Sequence, residues 1–218
     1  MMSTREHILA AVRTALQDAP AVPDIPRTYR QDGNLNAEER IDVLVDRLED
    51  YKAGVTVVDE AAIPATIQGL LAGARSYVVP AGLDPAWLAW ETEPSRVKYD
   101  GGGHGARSVT ELDATDAVVT SSAVTVAESG TIILDGSPDQ GRRAISLIPD
   151  HHICVVHSRD ITQILPEALR RLDGTRPLTM ISGPSATSDI ELERVEGVHG
   201  PRRLDVIITK QSGKLPAS

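Results

Sequence analysis

The feature of this sequence that most constrains its fold is the alternation of short β-branched runs with helical segments that begins near residue 55. Val55–Val58 and Ser76–Val79 are typical of strands, and helices are predicted near 62–73 and 84–90. Strands that alternate with helices build parallel sheets whose faces are covered by those helices. The pattern therefore predicts an α/β fold with a mostly parallel open sheet.

Later apolar runs predict further strands, at 117–119, 131–134, 153–156, 178–181 and 206–208. Among them only residues 162–172 have an obvious helical pattern. Because parallel neighbours need long crossover connections, we also expect antiparallel pairs in the middle of the chain.

The first quarter of the chain has a different pattern. Ile8, Val12 and Leu16 recur at helical spacing, a second helix is predicted from Asn36 to Leu48, and residues 19–35 contain three prolines. We therefore predict three parts: an N-terminal helical extension with a proline-rich arm (1–52), an α/β domain (53–210) and a loose tail (211–218).

Charge and composition narrow the classes of partner. With 31 acidic and 22 basic side chains, the 218 residues carry a net charge of −9, which disfavours a nucleic-acid or anionic-membrane surface. The single cysteine, Cys154, permits neither a disulfide nor an iron–sulfur cluster held by cysteines of this chain alone.

There is no apolar signal core, and no run approaches the roughly 20 apolar residues of a membrane span. We expect a cytoplasmic protein with no membrane insertion.

Two loops near the end of the chain predict a ligand site. In the first, 182–191 (SGPSATSDIE), Ser185 and Thr187 would offer hydroxyls to a carboxylate or phosphate, and Asp189 would orient a base or bind a ligand hydroxyl. The alternative is a capping box at 188–191 with a purely structural role.

The second loop, 197–203 (GVHGPRR), places His199 between two glycines and just before two arginines. An imidazole there would serve as an acid or base near neutral pH. The alternative is a turn histidine that is bonded to a backbone carbonyl.

Glu128 is the candidate reactive carboxylate. It lies in AESGT (127–131), at the entrance of a strand-like run whose apolar side chains would raise the pKa of a carboxyl group. The alternative is a solvated or hydrogen-bonded turn residue.

Arginines supply the candidate anion-binding groups. Arg142 and Arg143 follow the loop at 135–139 (DGSPD), and Arg202 and Arg203 end the second glycine-rich loop. Guanidinium groups bind carboxylates and phosphates through paired hydrogen bonds, so at least one of them is predicted to bind an anion.

Two further motifs are expected to have no functional role. The sequence GGGHGA (101–106) fits a dinucleotide-binding pattern, but only a short polar helix can follow it. In HHICVVH (151–157), strand alternation would put His152 and Cys154 on one face and His151 and His157 on the other, so no metal site is predicted.

The succession of these motifs resembles the LUD-domain family, specifically its lactate-utilization protein C branch. The resemblance is strong over 116–209, although Ser129 stands where the family commonly has Thr. It is carried by the motifs AESGT (127–131), GRR (141–143), LIP (147–149), SGPS (182–185), SDIE (188–191) and GVHGP (197–201).

This resemblance implies a three-layer α/β fold similar to the ribose-5-phosphate isomerase, glucosamine-6-phosphate deaminase and CoA-transferase group. It also implies a role in oxidising L-lactate to pyruvate beside iron–sulfur partner proteins, with no cofactor in this chain itself. The segment 128–130 is similar to the Glu-Asn-Gly segment that carries the nucleophile of CoA-transferases, so Glu128 is hypothesised to share a cleft with Ser185, Thr187, Asp189 and His199.

Three interpretations of function remain at this point. The chain is a subunit of a lactate-oxidation system that binds a small anion, a stand-alone enzyme that acts on a phosphorylated sugar or an acyl-CoA, or a non-catalytic scaffold whose N-terminal helices dock a partner. Whether the chain is itself an enzyme is left open by the sequence.

Overall fold

A computed structural model of the protein describes residues 3–17, 24–182 and 200–210. The helices are α1 (Thr4–Ala15), α2 (Ala37–Asp50), α3 (Ile63–Leu70), α4 (Val109–Asp113), α5 (Arg143–Leu147) and α6 (Leu165–Arg171). The strands are β1 (Gly54–Asp59), β2 (Tyr77–Pro80), β3 (Val97–Asp100), β4 (Ala117–Ser121), β5 (Val124–Val126), β6 (Thr131–Leu134), β7 (His151–His157), β8 (Ile161–Thr162), β9 (Thr179–Ile181) and β10 (Arg203–Lys210).

The main sheet has six strands in the order β1-β10-β7-β4-β2-β3, and all neighbouring pairs are parallel. Its central strands are rich in β-branched residues and are buried, as expected for a sheet that is covered on both faces. The predicted parallel α/β architecture is confirmed. The chain order reverses between β2 and β4, since β3 lies on one side of β2 and the later strands lie on the other.

A smaller sheet has the order β8-β5-β6-β9. Strands β5 and β6 form an antiparallel hairpin, β9 adds antiparallel to β6, and β8 adds parallel to β5. These pairs confirm the expectation of antiparallel strands in the middle of the chain.

Alternating residues of β7 mark the two faces of the main sheet. Ile153 belongs to a buried cluster with Ile67 of α3, whereas Val156 belongs to a cluster with Leu44 of α2 and Ile132 of β6. Helix α3 thus covers one face, and α2 together with the smaller sheet covers the other, which gives three layers.

The chain from Gln31 onward forms one compact unit, and the residues up to Arg30 form another. Helix α2, which the sequence pattern placed in the N-terminal extension, therefore belongs to the unit that contains the sheets. Helix α1 begins with a capping box in which Ser3 and Glu6 satisfy each other's backbone N–H groups.

One local expectation was wrong, and some short elements were missed. The predicted helix near 84–90 is a 3₁₀ turn at Pro85–Leu88, in which Asp84 accepts a hydrogen bond from the N–H of Ala86 and Trp87 anchors the turn in the core. Strands β3, β5 and β8 and the short helix α5 were not predicted, whereas α4 is the short polar helix that was expected after residues 101–106. Among the described residues, every helix is too short or too polar to cross a lipid bilayer.

Candidate functional site

A cleft of about 850 Å³ opens at the carboxyl edge of the main sheet. Ala81 and Gly82, which follow β2, line one side of it together with Asp100, the last residue of β3. This is the place where the strand order reverses, and open α/β sheets bind their ligands at such points. The topology therefore marks this cleft as the candidate site.

The loop from Asp135 to Gly141 forms the facing wall, and tertiary contacts fix its shape. The buried side chain of Gln140 accepts a hydrogen bond of 2.7 Å from the N–H of Asp135, and the N–H of Gly82 donates to the carbonyl of Pro138 at 2.9 Å. Gly141 has a φ of +70°, and a Cβ there would lie 2.7 Å from Ile145 Cδ1. The loop is thus held rigidly against the end of β2.

Arg142 lies in the cleft, but a carboxylate already neutralises its charge. Its Nε and Nη2 donate to the two oxygens of Asp100 at 2.8 Å each, and the N–H of Arg107 donates to the same carboxylate at 2.8 Å. Burial alone would raise the pKa of Asp100, yet these hydrogen bonds hold it below its usual value. Arg142 therefore serves chiefly to close the base of the cleft.

Arg176 also lines the cleft, although no sequence motif indicates it. Its Nη1 donates to Asp135 Oδ2 at 2.8 Å and to Ser137 Oγ at 3.2 Å. Asp135 lies 41 residues away in the sequence, and only the pairing of β6 with β9 brings the two together. No local pattern around Arg176 signals this contact.

Arg143 is the third arginine of the cleft. It is the first residue of α5, its side chain is exposed, and it forms no ion pair or side-chain hydrogen bond with any residue in the described part of the chain. Because Asp100 and Asp135 neutralise Arg142 and Arg176, Arg143 leaves the cleft with one uncompensated positive charge.

Glu128 lies elsewhere, in the turn of the β5–β6 hairpin. Its Oε1 accepts a hydrogen bond of 2.8 Å from Gln163 Nε2, and the residue is exposed rather than surrounded by apolar side chains. The whole of β6 lies between this turn and the cleft, a span of about 13 Å for four residues at the usual strand rise. The structure therefore does not bring Glu128 together with Arg142 and Arg143.

Hydroxyl groups lie beside Glu128 in the same turn. Ser129 Oγ and Thr131 Oγ1 are 2.7 Å apart, and Thr131 Oγ1 is also hydrogen-bonded to Ser182 Oγ. Tyr51 of the α2 C-terminus donates to the carbonyl of Ser129 at 3.0 Å. The turn is thus linked to Ser182, the first residue of the SGPS motif.

Except for Arg202, the remaining predicted site residues of the two loops at 182–191 and 197–203 lie outside the described residues. These are Ser185, Thr187, Asp189 and His199, together with the predicted capping box at 188–191. Their grouping with Glu128 in one cleft stays a prediction.

Arg202 lies at the opposite edge of the main sheet from the cleft. It comes just before β10, whose first residue pairs with the first residue of the parallel strand β7. Its Nε is 3.6 Å from Asp150 Oδ1, and both side chains are exposed. Arg202 is therefore not part of the site that contains Arg142 and Arg143.

The histidines and the cysteine of β7 divide between its faces as predicted. Thr120 contacts His152 Nε2 at 2.8 Å and Cys154 Sγ at 3.8 Å on one face, while His157 lies against Trp87 on the other. Burial raises the pKa of the Cys154 thiol to about 12, so it stays protonated. Within residues 3–17, 24–182 and 200–210, no three His, Cys, Asp or Glu side chains are grouped as metal ligands.

Comparisons with known proteins give a consistent result. Residues 105–209 match the model of the LUD domain. A protein from Deinococcus radiodurans named lactate utilization protein C is 46% identical over 190 residues, which cover 85% of this chain and 87% of that protein. A Bacillus subtilis protein of the same name is 32% identical over 127 residues, and the match spans 52% of its length.

A solved structure is also similar to this chain. It is a crystal structure of a DUF162 family protein from Deinococcus radiodurans, with a TM-score of 0.70 and 42% sequence identity. The similarity covers 81% of this chain and all of that one, so the two share the fold described above.

Proposed function

Because the chain belongs to the LUD-domain family, with lactate utilization protein C relatives that match most of its length, we propose that it serves in lactate utilization. Its specific contribution is the binding of a small carboxylate in the cleft at the carboxyl edge of the main sheet. The observation that carries this proposal is the uncompensated guanidinium group of Arg143 in that cleft.

The charge of the cleft favours a monoanion. Two of its three arginines are paired with buried or nearly buried carboxylates, so one positive charge remains for the ligand. A guanidinium group matches a carboxylate with two parallel hydrogen bonds. The volume of about 850 Å³ falls within the usual range for small-molecule sites. Lactate and pyruvate, each with one carboxylate, fit this description.

We further propose that the redox centres of the system reside in iron–sulfur partner proteins. A cluster needs several accessible thiolates, whereas the single cysteine of this chain is completely buried and protonated. The chain then supplies ligand binding and assembly. Glu128 is retained as the candidate working carboxylate, together with Asp189 and His199, which the sequence alone suggests.

The grouping of the fold with ribose-5-phosphate isomerase, glucosamine-6-phosphate deaminase and the CoA-transferases also remains a proposal. It underlies the alternative function, a stand-alone enzyme on a phosphorylated sugar or an acyl-CoA. That alternative predicts turnover by the purified chain without partner proteins, whereas a pure scaffold predicts that Arg143→Ala is silent.

Growth on L-lactate as sole carbon source tests the proposal. A strain that lacks its own copy of this gene would carry the cognate partner genes and either the wild type, Arg143→Ala or Arg202→Ala, at equal protein levels. We expect the wild type and Arg202→Ala to restore growth and Arg143→Ala to fail, because Arg143 lines the cleft and Arg202 lies at the opposite edge of the main sheet. Full growth with Arg143→Ala would refute the role of the cleft.

A further inference from the structure

A buried glutamine joins three separate parts of the chain. Gln163 is 4% exposed and lies between β8 and α6. Its side chain contacts the segment at 34–35, which precedes α2, and also contacts Glu128 in the β5–β6 turn. None of the motifs in the sequence includes it.

The contacts of Gln163 fix which end of its amide faces Glu128. Its Oε1 accepts hydrogen bonds from the N–H groups of Asn34 and Leu35, at 2.6 and 2.8 Å. A carboxamide nitrogen cannot accept these bonds, so the oxygen must point toward the segment. The Nε2 group therefore faces Glu128 Oε1 at 2.8 Å, and the N–H of Glu128 donates in turn to the carbonyl of Gln163 at 3.1 Å.

The surroundings leave Gln163 little freedom to move. The carboxylate of Glu167 accepts two hydrogen bonds nearby. Glu167 Oε2 accepts from the N–H of Gln163 at 2.8 Å, and Glu167 Oε1 accepts from the N–H of Gly33 at 2.9 Å. Gly33 packs so closely that a Cβ on it would lie 2.2 Å from Gln163 Oε1. The donor that faces Glu128 is thus held in place before any ligand arrives.

We propose that Gln163 is a positioning residue that holds the carboxylate of Glu128 in its working orientation. This inference rests on the proposed role of Glu128 in lactate utilization. A fixed donor on one carboxylate oxygen restricts the rotation of the Glu128 side chain. The segment at 33–35, distant in sequence, thereby helps to hold Gln163 and, through it, Glu128.

A donor–acceptor exchange tests this arrangement. Gln163→Glu keeps an oxygen for the N–H groups of Asn34 and Leu35 but replaces the donor that faces Glu128 with a carboxylate oxygen. The double variant Glu128→Gln with Gln163→Glu restores a donor–acceptor pair with its direction reversed. The double variant restores the hydrogen bond but has no carboxylate at residue 128. It therefore distinguishes an effect on stability from an effect on function.

The first measurement is a double-mutant cycle of equilibrium unfolding by urea with purified proteins. We expect Gln163→Glu, which sets two carboxylates against each other, to increase the equilibrium constant for unfolding about tenfold. Glu128→Gln should change it by about threefold or less, because its amide oxygen still accepts from Gln163 Nε2. The double variant should recover to within about threefold of the wild type. Additive effects of the two substitutions would overturn the proposed bond. Protection of the Asn34 and Leu35 amides from hydrogen exchange should persist in Gln163→Glu.

The second measurement is growth on L-lactate. We expect Gln163→Glu to fail although Glu128 is present, and the double variant to fail although its stability is restored. Growth of the double variant would show that the pair is only structural and would overturn the positioning role, as would normal growth of Gln163→Glu. Arg170→Ala, which removes an ion pair of 2.6 Å with Asp32 but does not touch Gln163, should grow normally.

The two proposals fail in distinguishable ways. If the wild type did not support growth with its partner genes, the role in lactate utilization would be rejected. The unfolding cycle would still decide whether Gln163 and Glu128 are coupled.

Discussion

At the scale of single residues, His152 is a titratable group without access to solvent. Its Nε2 lies 2.8 Å from Thr120 Oγ1, and its Nδ1 is buried without a hydrogen-bond partner among the described residues. Burial, with a smaller contribution from the charge of His151, lowers the pKa of His152 to about 4. The folded protein therefore holds this imidazole neutral.

This lowered pKa predicts a loss of stability in mild acid. In the unfolded chain His152 titrates near its ordinary value of about 6.5. The stability that neutral His152 contributes to the folded state is fully present above the unfolded-state pKa of about 6.5. It is lost as the pH falls toward the folded-state pKa of about 4, because the unfolded state binds the proton first. Between pH 7 and pH 5 we expect the free energy of unfolding to fall by about 2 kcal/mol.

Urea unfolding at the two pH values measures this change. His152→Gln provides the control, since glutamine retains a polar partner for Thr120 but does not titrate. Its stability should vary with pH by about 2 kcal/mol less than that of the wild type. Equal pH dependence in the two proteins would show that His152 does not contribute.

The types of residue in the sequence were enough to predict two of the side chains that line the cleft. The two adjacent arginines at 142 and 143 indicated anion binding, and both line the cleft. Their unequal roles were not predictable, because the partner of Arg142 is Asp100, 42 residues earlier. Arg176 was missed for the same reason: its position depends on strand pairing rather than on its sequence neighbours.

At the scale of elements, apolar runs predicted strands reliably, whereas the short strands β3, β5 and β8, which lack a run of three apolar residues, were missed. The buried strands β4, β6, β7 and β10 each contain an apolar run that the sequence shows directly. By contrast, β3 has the sequence VKYD, and β8 has only two residues. Such strands form because a neighbouring strand offers hydrogen bonds, which no local pattern reveals.

The β5–β6 turn depends on Gly130. This residue has a φ of +60°, and a Cβ there would lie 2.9 Å from Tyr51 Cε2 and 3.0 Å from Arg47 Cβ. A left-handed conformation costs a non-glycine residue about 1–2 kcal/mol before any clash. We expect Gly130→Ala to lower the free energy of unfolding by about 2 kcal/mol or more.

Gly174→Ala is the matched control for this substitution. Gly174 has open space around it and no positive φ, so the change should stay within about 0.5 kcal/mol. Denaturant unfolding of the two variants measures the difference. Equal stabilities would contradict the described turn.

At the scale of the whole molecule, strand order decides which candidate residues meet. The order places Arg142 and Arg143 at the carboxyl edge of the main sheet and Arg202 at its amino edge. The sequence shows all three arginines, but it does not reveal the strand order that separates them. Three-dimensional connectivity, rather than residue type, therefore separates Arg142 and Arg143 in the proposed anion site from Arg202.

The structure places the start of the sheet-containing unit at Gln31, whereas the sequence predicted a boundary at residue 52. The two boundaries predict different results for truncated chains. Helix α2 contributes Leu44 and Leu48 to a buried cluster that includes Val206 of β10. Loss of two buried leucines costs about 4–10 kcal/mol, comparable to the total stability of a domain. We expect residues 31–218 to unfold cooperatively and residues 53–218 to show no cooperative transition. Thermal unfolding measures this, and a stable 53–218 fragment would favour the sequence-predicted boundary at residue 52.

The binding of L-lactate to the cleft is the central claim, and isothermal titration calorimetry tests it most directly. The purified wild type, Arg143→Ala and Arg202→Ala would each be titrated with L-lactate at neutral pH and low salt. We predict saturable binding by the wild type and Arg202→Ala, and at least tenfold weaker binding by Arg143→Ala, as the loss of a charged hydrogen-bond donor implies. The same affinity in all three proteins, or no binding by the wild type, would contradict the assignment of the cleft.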